Sequence, residues 1–291
     1  MSRVVTRAPP ARCPPRVPWC GGSGIIAGVS GIYDDPELYQ LACAYRDIPA
    51  ETDALLDWAG RHYSGAQATP GSVLELAAGP ADHARELARR GLSATALDIN
   101  AAMCAWARER AGREGIALDV VEADMRDFKL PARFDLAITM LNSACHLFTL
   151  DDMVSHLAAV AAHLVPGGLY ILEFAHPADY LSSASRTSSE WTIEAAGVTA
   201  QVRWGGPLDA IDPVTQITQE SVNITVRGAD GTIRTVTDVV PNRFWTATEV
   251  TAAIRLTGGF TIAATYGDFD GTTQVADPEA WRLIIVLRRD A

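Results

Sequence analysis

The chain has 291 residues, 48% of them hydrophobic, and a formal net charge of −11. That length exceeds one mean domain and suits a single α/β domain carrying an insertion. The acids are spread along the chain, which argues against nucleic acid and anionic membranes as partners, since both require a basic face. Cys13, Cys20, Cys43, Cys104 and Cys145 are scattered, odd in number and without paired short spacings. Neither a metal site nor a disulfide framework is therefore expected, and the reducing cytoplasm is the expected setting. No apolar run approaches the length of a membrane span, and prolines interrupt the N-terminus where a signal peptide would need a continuous apolar region.

Residues 1–30 are rich in Pro, Arg and Gly and show no period, as expected of a disordered extension. From Gly31 the pattern changes. A helix is expected to open at Ile32–Tyr39, capped by Asp34 or Asp35 with Pro36 in its first turn, and to run to Tyr45-Arg46. A second, amphipathic helix is expected from Ala50 to Tyr63, with Leu55, Leu56, Trp58 and Ala59 on one side. The apolar run Val73–Leu76 then reads as a buried strand, followed by a tight turn at Gly79 and a helix from Ala81 to Arg90. Such a unit brings backbone N–H groups and a helix N-terminus to one point. A second strand, Ala94–Leu97, ends in Asp98, about 20 residues further on, where a ribose-binding acid belongs in a nucleoside-binding α/β fold. A dinucleotide loop needs three glycines, one of them so that the backbone can touch a pyrophosphate. Only Gly79 is present here, flanked by Ala77, Ala78, Pro80 and Ala81, which suits a nucleoside without phosphates. Glu75, near the end of the strand, suits a ligand carrying positive charge.

Asn100 is expected to cap a helix over Ala101–Arg113, and the strand Leu118–Val121 to end in Glu122-Ala123-Asp124-Met125. A fourth strand, Arg133–Met140, exits through Leu141-Asn142-Ser143-Ala144-Cys145-His146-Leu147, and ligands in doubly wound sheets sit outside such carboxyl ends. Asp151 or Asp152 is expected to cap the helix Met153–Leu164. Val165-Pro166-Gly167-Gly168-Leu169 reads as a turn into a fifth strand, Tyr170–Phe174. His163 reads as a solvated helix-end residue. After a Ser-rich link, β-branched alternating runs (Trp191–Glu194, Val198–Trp204, Gln216–Val226 and Thr232–Val240) with a hairpin signal at Asp230-Gly231 point to an antiparallel insertion over 182–240. The chain closes with a helix from Thr248 to Leu256, a stop at Gly258-Gly259, a strand over Phe260–Tyr266 and a last apolar strand over Trp281–Leu287. Asp268 and Asp270 between those strands read as turn residues.

Glu75, Gly79, Asp98, Asp124-Met125 and the Pro166-Gly167-Gly168 turn, in that order, resemble class I S-adenosylmethionine (SAM)-dependent methyltransferases over residues 31–291. Ala77 and Ala81 replace the first and third glycines of that family's loop. The exit Asn142-Ser143 with Cys145-His146 resembles that of bacterial small-molecule N-methyltransferases of the amino-sugar type. An Asn-Pro-Pro-Tyr motif, used on planar nitrogens of DNA and protein, is absent.

The resemblance implies a Rossmann-like α/β sheet of five parallel strands and a closing antiparallel pair, with an antiparallel β insertion. It divides the chain into a core with N-terminal lid helices over 31–181, the insertion on the acceptor side over 182–240, and the rest of the core over 241–291. It implies SAM as cofactor, with Asp98 on the ribose beside Ile99, Ala77 and Gly79 in the loop, and Leu141 at the exit. Asp124 would accept from the adenine amino group and Met125 offer its N–H to a ring nitrogen. Tyr33, Tyr45 and Arg46 match lid residues, Arg46 pairing with the methionine carboxylate; their other reading is packing tyrosines and a solvated arginine. His146 matches a base, its other reading being a part-buried ring on a carbonyl, while Cys145 reads as packing. Asn142, His176, Trp191 and Arg243, with Trp204 and Trp245, would face the acceptor. The expected function is methyl transfer to a small-molecule amine by a monomer or homodimer. An oxygen acceptor and a non-catalytic SAM- or nucleoside-binding module stay open as alternatives, while nicotinamide chemistry is disfavoured by the depleted glycine loop.

Overall fold

The computed structural model describes residues 31–181, 189–195, 197–206 and 208–290. The expected disordered extension with Cys13 and Cys20, and the Ser-rich link, lie outside the described residues. The chain opens with a 3-10 turn (Ile32–Asp34) and helices α1 (Pro36–Ala42) and α2 (Ile48–His62). Each helix starts on an Asp that accepts a first-turn N–H, Asp35 from Leu38 at 3.0 Å and Asp47 from Ala50 at 3.1 Å, with Pro in the first turn. Helix α1 stops at Ala42 rather than Tyr45-Arg46, because successive tight turns, with Arg46 N–H on the Cys43 carbonyl at 3.1 Å, bring the chain round to the Asp47 cap.

Next come β1 (Ser72–Leu76), α3 (Asp82–Arg89), β2 (Ser93–Asp98), α4 (Ala101–Glu114), β3 (Leu118–Glu122) and β4 (Phe134–Thr139). They are followed by α5 (Leu150–His163), β5 (Leu164–Ala175) and the short α6 (Ala178–Leu181). The strands β6 (Ser189–Ala195), β7 (Val198–Trp204), β8 (Ile217–Gly228) and β9 (Ile233–Arg243) precede α7 (Ala247–Thr257), β10 (Phe260–Tyr266) and β11 (Arg282–Arg289).

The main sheet has the order β10-β11-β5-β4-β1-β2-β3. Strands β1 to β5 pair in parallel, and β11 is antiparallel to both β5 and β10, as expected. Alternate side chains of β1 face opposite layers. Val73 packs with Leu55 and Trp58 of α2 and Leu87 of α3, while Leu74 and Leu76 pack with Leu157 of α5 and Ile254 of α7. Both faces are therefore buried, and the open ground is the crevice at the carboxyl ends, where strand order reverses between β2-β1 and β4-β5.

Three local readings are corrected. Thr149 rather than Asp151 or Asp152 caps α5: its hydroxyl accepts from Asp152 N at 3.0 Å, and the Asp152 carboxylate accepts from Thr149 N at 2.9 Å. His163 is buried, donating to the Ala159 carbonyl (2.7 Å) and accepting from Leu130 N (2.9 Å), so it ties α5 to the loop before β4. The Pro166-Gly167-Gly168 stretch is a bulge inside β5, where the register with β4 shifts between Phe134 and Leu136. Gly167 there has φ of 78°, its carbonyl accepts from Ser64 N at 3.0 Å, and an added Cβ would lie 2.4 Å from the Ser64 carbonyl oxygen. Gly167→Ala is therefore expected to destabilise by about 2 kcal/mol or more. A urea midpoint unchanged from the wild type would show that the Ser64 segment yields freely.

Strands β6-β7-β8-β9 form a second, wholly antiparallel sheet, with the hairpin turn at Asp230-Gly231 as expected. Its inner face (Val202, Val222, Ile224 and Val240) packs on Ile32, Leu38 and Ala42. Two long-range bonds fasten the contact: Ile32 N donates to Asp238 Oδ2 (2.8 Å), and Trp191 Nε1 donates to the Ala42 carbonyl (2.8 Å). Among the described residues no helix is long and apolar enough to cross a membrane.

Candidate active site

A cavity of about 970 Å³ opens between the carboxyl ends of the main sheet and the second sheet. One end is built by the loop after β1. Ala77, Gly79 and Ala81 all take left-handed backbone, with φ of 49°, 52° and 57°, at a cost of about 1–2 kcal/mol for each alanine. Asp98 offsets part of this by holding the loop: its Oδ2 accepts from Gly79 N (2.7 Å) and its Oδ1 from Asn100 N (2.8 Å). Burial raises the Asp98 pKa, opposed by those two backbone bonds. Asn100 in turn caps α4, accepting from Ala102 N and Met103 N.

The other end is the exit from β4. Leu141 and Asn142 are both left-handed (φ 53° and 60°), held by Leu141 N on Glu173 Oε2 (2.7 Å) and by Ala175 N on Asn142 Oδ1 (3.1 Å). This turns the chain into a short 3-10 segment, Ser143–His146, that presents His146 to the cavity. His146 Nε2 lies 3.2 Å from the Tyr33 hydroxyl, the two rings meeting edge to face. Burial lowers the His146 pKa, and the Pro241 carbonyl, which favours the charged ring, opposes this only in part. Tyr33 is pushed well above its ordinary value by burial and stays a phenol. The imidazole is thus neutral at neutral pH, the state a proton acceptor needs.

Tyr33, Tyr45, Ala77, Gly79, Asp98 and Ile99 line the cavity. So do Asp124, Met125, Leu141, Asn142, His146, Trp191 and Trp204. The carboxylate of Asp124 is already engaged by Arg126 (Nη2 to Oδ2, 2.6 Å), which holds its pKa down.

Five expected residues are not brought to the cavity. Glu75 shares the β1 face of Val73 by strand alternation, so it points into the helical layer. There its carboxylate accepts from Ala84 N at 2.7 Å, serving the first turn of α3, whose cap residue Ala81 has no side-chain acceptor. Arg46 is buried with every guanidinium nitrogen spent, on Glu51 (Nε to Oε1, 2.7 Å) and on Glu173 (3.0 and 2.9 Å). His176 donates to the Val275 carbonyl (2.9 Å) and accepts from Ala178 N (3.1 Å). Arg243 bonds the Phe148 carbonyl at 3.0 Å with its guanidinium 3.8 Å over the Trp245 ring, and Trp245 is core. Asp270 accepts from the Thr272 and Thr273 backbone N–H groups, the turn chemistry expected of it.

Beneath the cavity floor runs a buried ionic chain. Arg282 Nε lies 2.9 Å from Glu173 Oε1, Arg46 bridges Glu173 to Glu51, and His83 joins Glu51 (2.8 Å) to Glu75 (3.5 Å). Burial would raise the Glu173 pKa, but Arg46 and Arg282 override it and hold it at about 2. Burial would lower the His83 pKa, but hydrogen bonds to Glu51 and Glu75 lift it to about 9.

Sequence reasoning passed over Glu220, Asn242, Tyr180, Asp179, Asp209 and Arg282, all of which line the cavity. Glu220 carried a signal: it is in phase with Val222 and Ile224 on the inward face of β8, an acid beside two buried apolar residues.

Residues 73–168 match the family model described as "Methyltransferase domain". The stretch that carries this likeness to a methyltransferase domain runs from β1 to the bulge in β5. A dTDP-3-amino-3,6-dideoxy-alpha-D-glucopyranose N,N-dimethyltransferase of Streptomyces fradiae is 35% identical over 104 residues, covering 35% of this chain and 38% of that one. The chain spans 38–59% of the length of the three amino-sugar dimethyltransferases that it matches. A glycine/sarcosine N-methyltransferase of Halorhodospira halochloris is 27% identical over 209 residues, 71% of this chain and 72% of that one. Among solved structures, SAM-bound CalS10, an amino pentose methyltransferase from Micromonospora echinaspora, superposes with a TM-score of 0.67 at 22% identity, covering 85% of this chain and 95% of that one. The fold around the domain is therefore the Rossmann-like class I methyltransferase fold expected from the sequence.

Proposed function

We propose that the protein is a SAM-dependent methyltransferase acting on an amine nitrogen of a small molecule, an amino sugar being the acceptor class named for several relatives. The observation that carries this reading is one continuous cavity with Asp98 and the left-handed Gly79 loop at one end and the His146–Tyr33 pair at the other. Its nucleoside side fits SAM better than a dinucleotide: Arg126, the cation there, is committed to Asp124 and Asp152, which leaves a pyrophosphate without a partner. Asp98 would bind the ribose hydroxyls, with Ile99, Met103 and Met125 as apolar neighbours of the base. When bound, SAM supplies an electrophilic methyl on a cationic sulfur.

His146 removes a proton from the acceptor's ammonium through Nε2, the accepting nitrogen when the ring proton is on Nδ1, with the ammonium taking the place of the Tyr33 hydroxyl there. That would leave a free nitrogen pair for the methyl that SAM, held by Asp98 and the Gly79 loop, would supply. Tyr33, Asn142 and Trp191 shape the acceptor's approach, and alignment with exclusion of water supplies most of the rate.

The deciding experiment is calorimetric titration with SAM and then NADH, followed by release of S-adenosylhomocysteine (SAH) with amine acceptors. Saturable SAM binding without NADH binding is expected, and its absence would overturn the reading. Asp98→Ala should weaken SAM by about 10- to 100-fold, the loss of charged hydrogen bonds to the ribose and of the bond on Gly79 N. Equal SAM affinity in the variant would exclude Asp98 from the nucleoside site.

A further inference from the structure

The acceptor end of the cavity holds more negative than positive charge. Among the described residues Asp179, Asp209 and Glu220 reach it, whereas Arg282 is the guanidinium on that side and already lies against Glu173. Asp209 is committed to β8, accepting from Ser221 N (2.7 Å) and the Ser221 hydroxyl (2.8 Å).

Glu220 is different. Its Oε1 accepts from the Tyr180 hydroxyl (3.2 Å), and its Oε2 accepts from Trp204 Nε1 (3.0 Å) and Asn242 Nδ2 (2.5 Å). Each donor is neutral, and burial, the largest influence on the carboxyl, raises its pKa. A buried carboxylate without a counter-charge is costly, and a cationic ligand removes that cost. The position suits such a ligand: Asn242, which donates to Glu220, also accepts from the thiol of Cys145 (3.1 Å), the chain neighbour of His146.

A diphosphate makes the opposite demand. It needs forked guanidinium groups, lysines or a full helix N-terminus. Among the described residues the acceptor end supplies Arg282 alone and confronts that charge with three carboxylates.

We propose that Glu220 receives the ammonium of the acceptor beside His146, and that the acceptor is a cationic amine carrying no nucleoside diphosphate. This rests on the methyltransferase reading above. It separates the chain from relatives whose names specify dTDP-linked sugars. No new covalent step is involved, because the ammonium held by Glu220 passes its proton to His146 as already described.

The test uses the full chain and three diphosphate-free amines (3-amino-3-deoxyglucose, glycine and ethanolamine), with SAH release as the readout and dTDP titrated against the SAH-saturated protein. At least one amine is expected to be methylated, and dTDP to show no saturable binding below the millimolar range. Glu220→Gln should lower kcat/KM for that amine about tenfold or more, with SAM affinity unchanged, which also reports that the variant is folded. Micromolar dTDP binding, wild-type turnover by Glu220→Gln, or methylation of none of the amines by a protein that binds SAM would each overturn the proposal. Failure to bind SAM would instead remove the methyltransferase reading beneath it.

Discussion

On the proposed function, replacing His146 with alanine is expected to slow methyl transfer about 10²-fold or more while SAM binding stays at its wild-type level, as loss of a positioned general base does. The ring lies at the exit from β4, away from the Gly79 loop, so its removal leaves the nucleoside contacts in place. The pH profile separates a base from a packing residue. Burial lowers the His146 pKa from 6.5, so the wild-type kcat/KM should hold through neutrality and fall as pH drops through that lowered value, where the ring takes up its proton. An amine acceptor's own ionisation contributes to both profiles, and the difference between wild type and variant isolates His146. Matching rates across the whole range would end the base assignment and leave Tyr33 and His146 as walls of the acceptor site.

The largest effect on stability is expected at Glu173, which is fully buried between Arg46 and Arg282 and also accepts from Leu141 N. Glu173→Gln leaves two guanidinium groups with less compensating charge, at a cost of about 3–5 kcal/mol. The same chain of charges sets the pH limits of the fold. The Glu173 pKa falls from 4.5 to about 2 on folding, so its stabilisation is full above 4.5 and is lost as pH falls toward 2. The His83 pKa rises from 6.5 to about 9, so its stabilisation is full below 6.5 and is lost as pH rises through 9. Urea midpoints measured from pH 3 to 10 should show both limbs in the wild type. Glu173→Gln should flatten the acid limb and keep the alkaline one. A variant as stable as the wild type, with the acid limb intact, would show that Arg46 and Arg282 find other partners.

The parts of the site that sequence made legible are those fixed by neighbours along the chain. Gly79, Asp98 and Asn100 lie within one strand–helix–strand unit and its exit, so their spacing brings them together, and Asp98 does bridge the loop to α4. The same holds for the exit from β4 that carries His146. Glu75 lies on the strand expected of it and Arg46 in the turns after α1 rather than on the helix, and the partners of both depend on the tertiary fold. Arg46 meets Glu173, 127 residues away, and Glu75 faces α3 because of its parity on β1. Type and position suggested ligand-binding charges; burial made them internal counter-ions. Glu220 is the reverse case, since its strand phase was visible but only the second sheet's docking shows what it faces.

The contact of Ile32, Leu38 and Ala42 with Val202, Val222, Ile224 and Val240 bears on how such an enzyme is diversified. The chain's first described segment and its insertion share one apolar seam, although more than 150 residues of sequence separate the two halves. Grafting an insertion from a relative to change the acceptor would strip that seam unless residues 31–46 travelled with it. The unit of exchange is thus discontinuous in sequence, and recombination at a single crossover cannot deliver it.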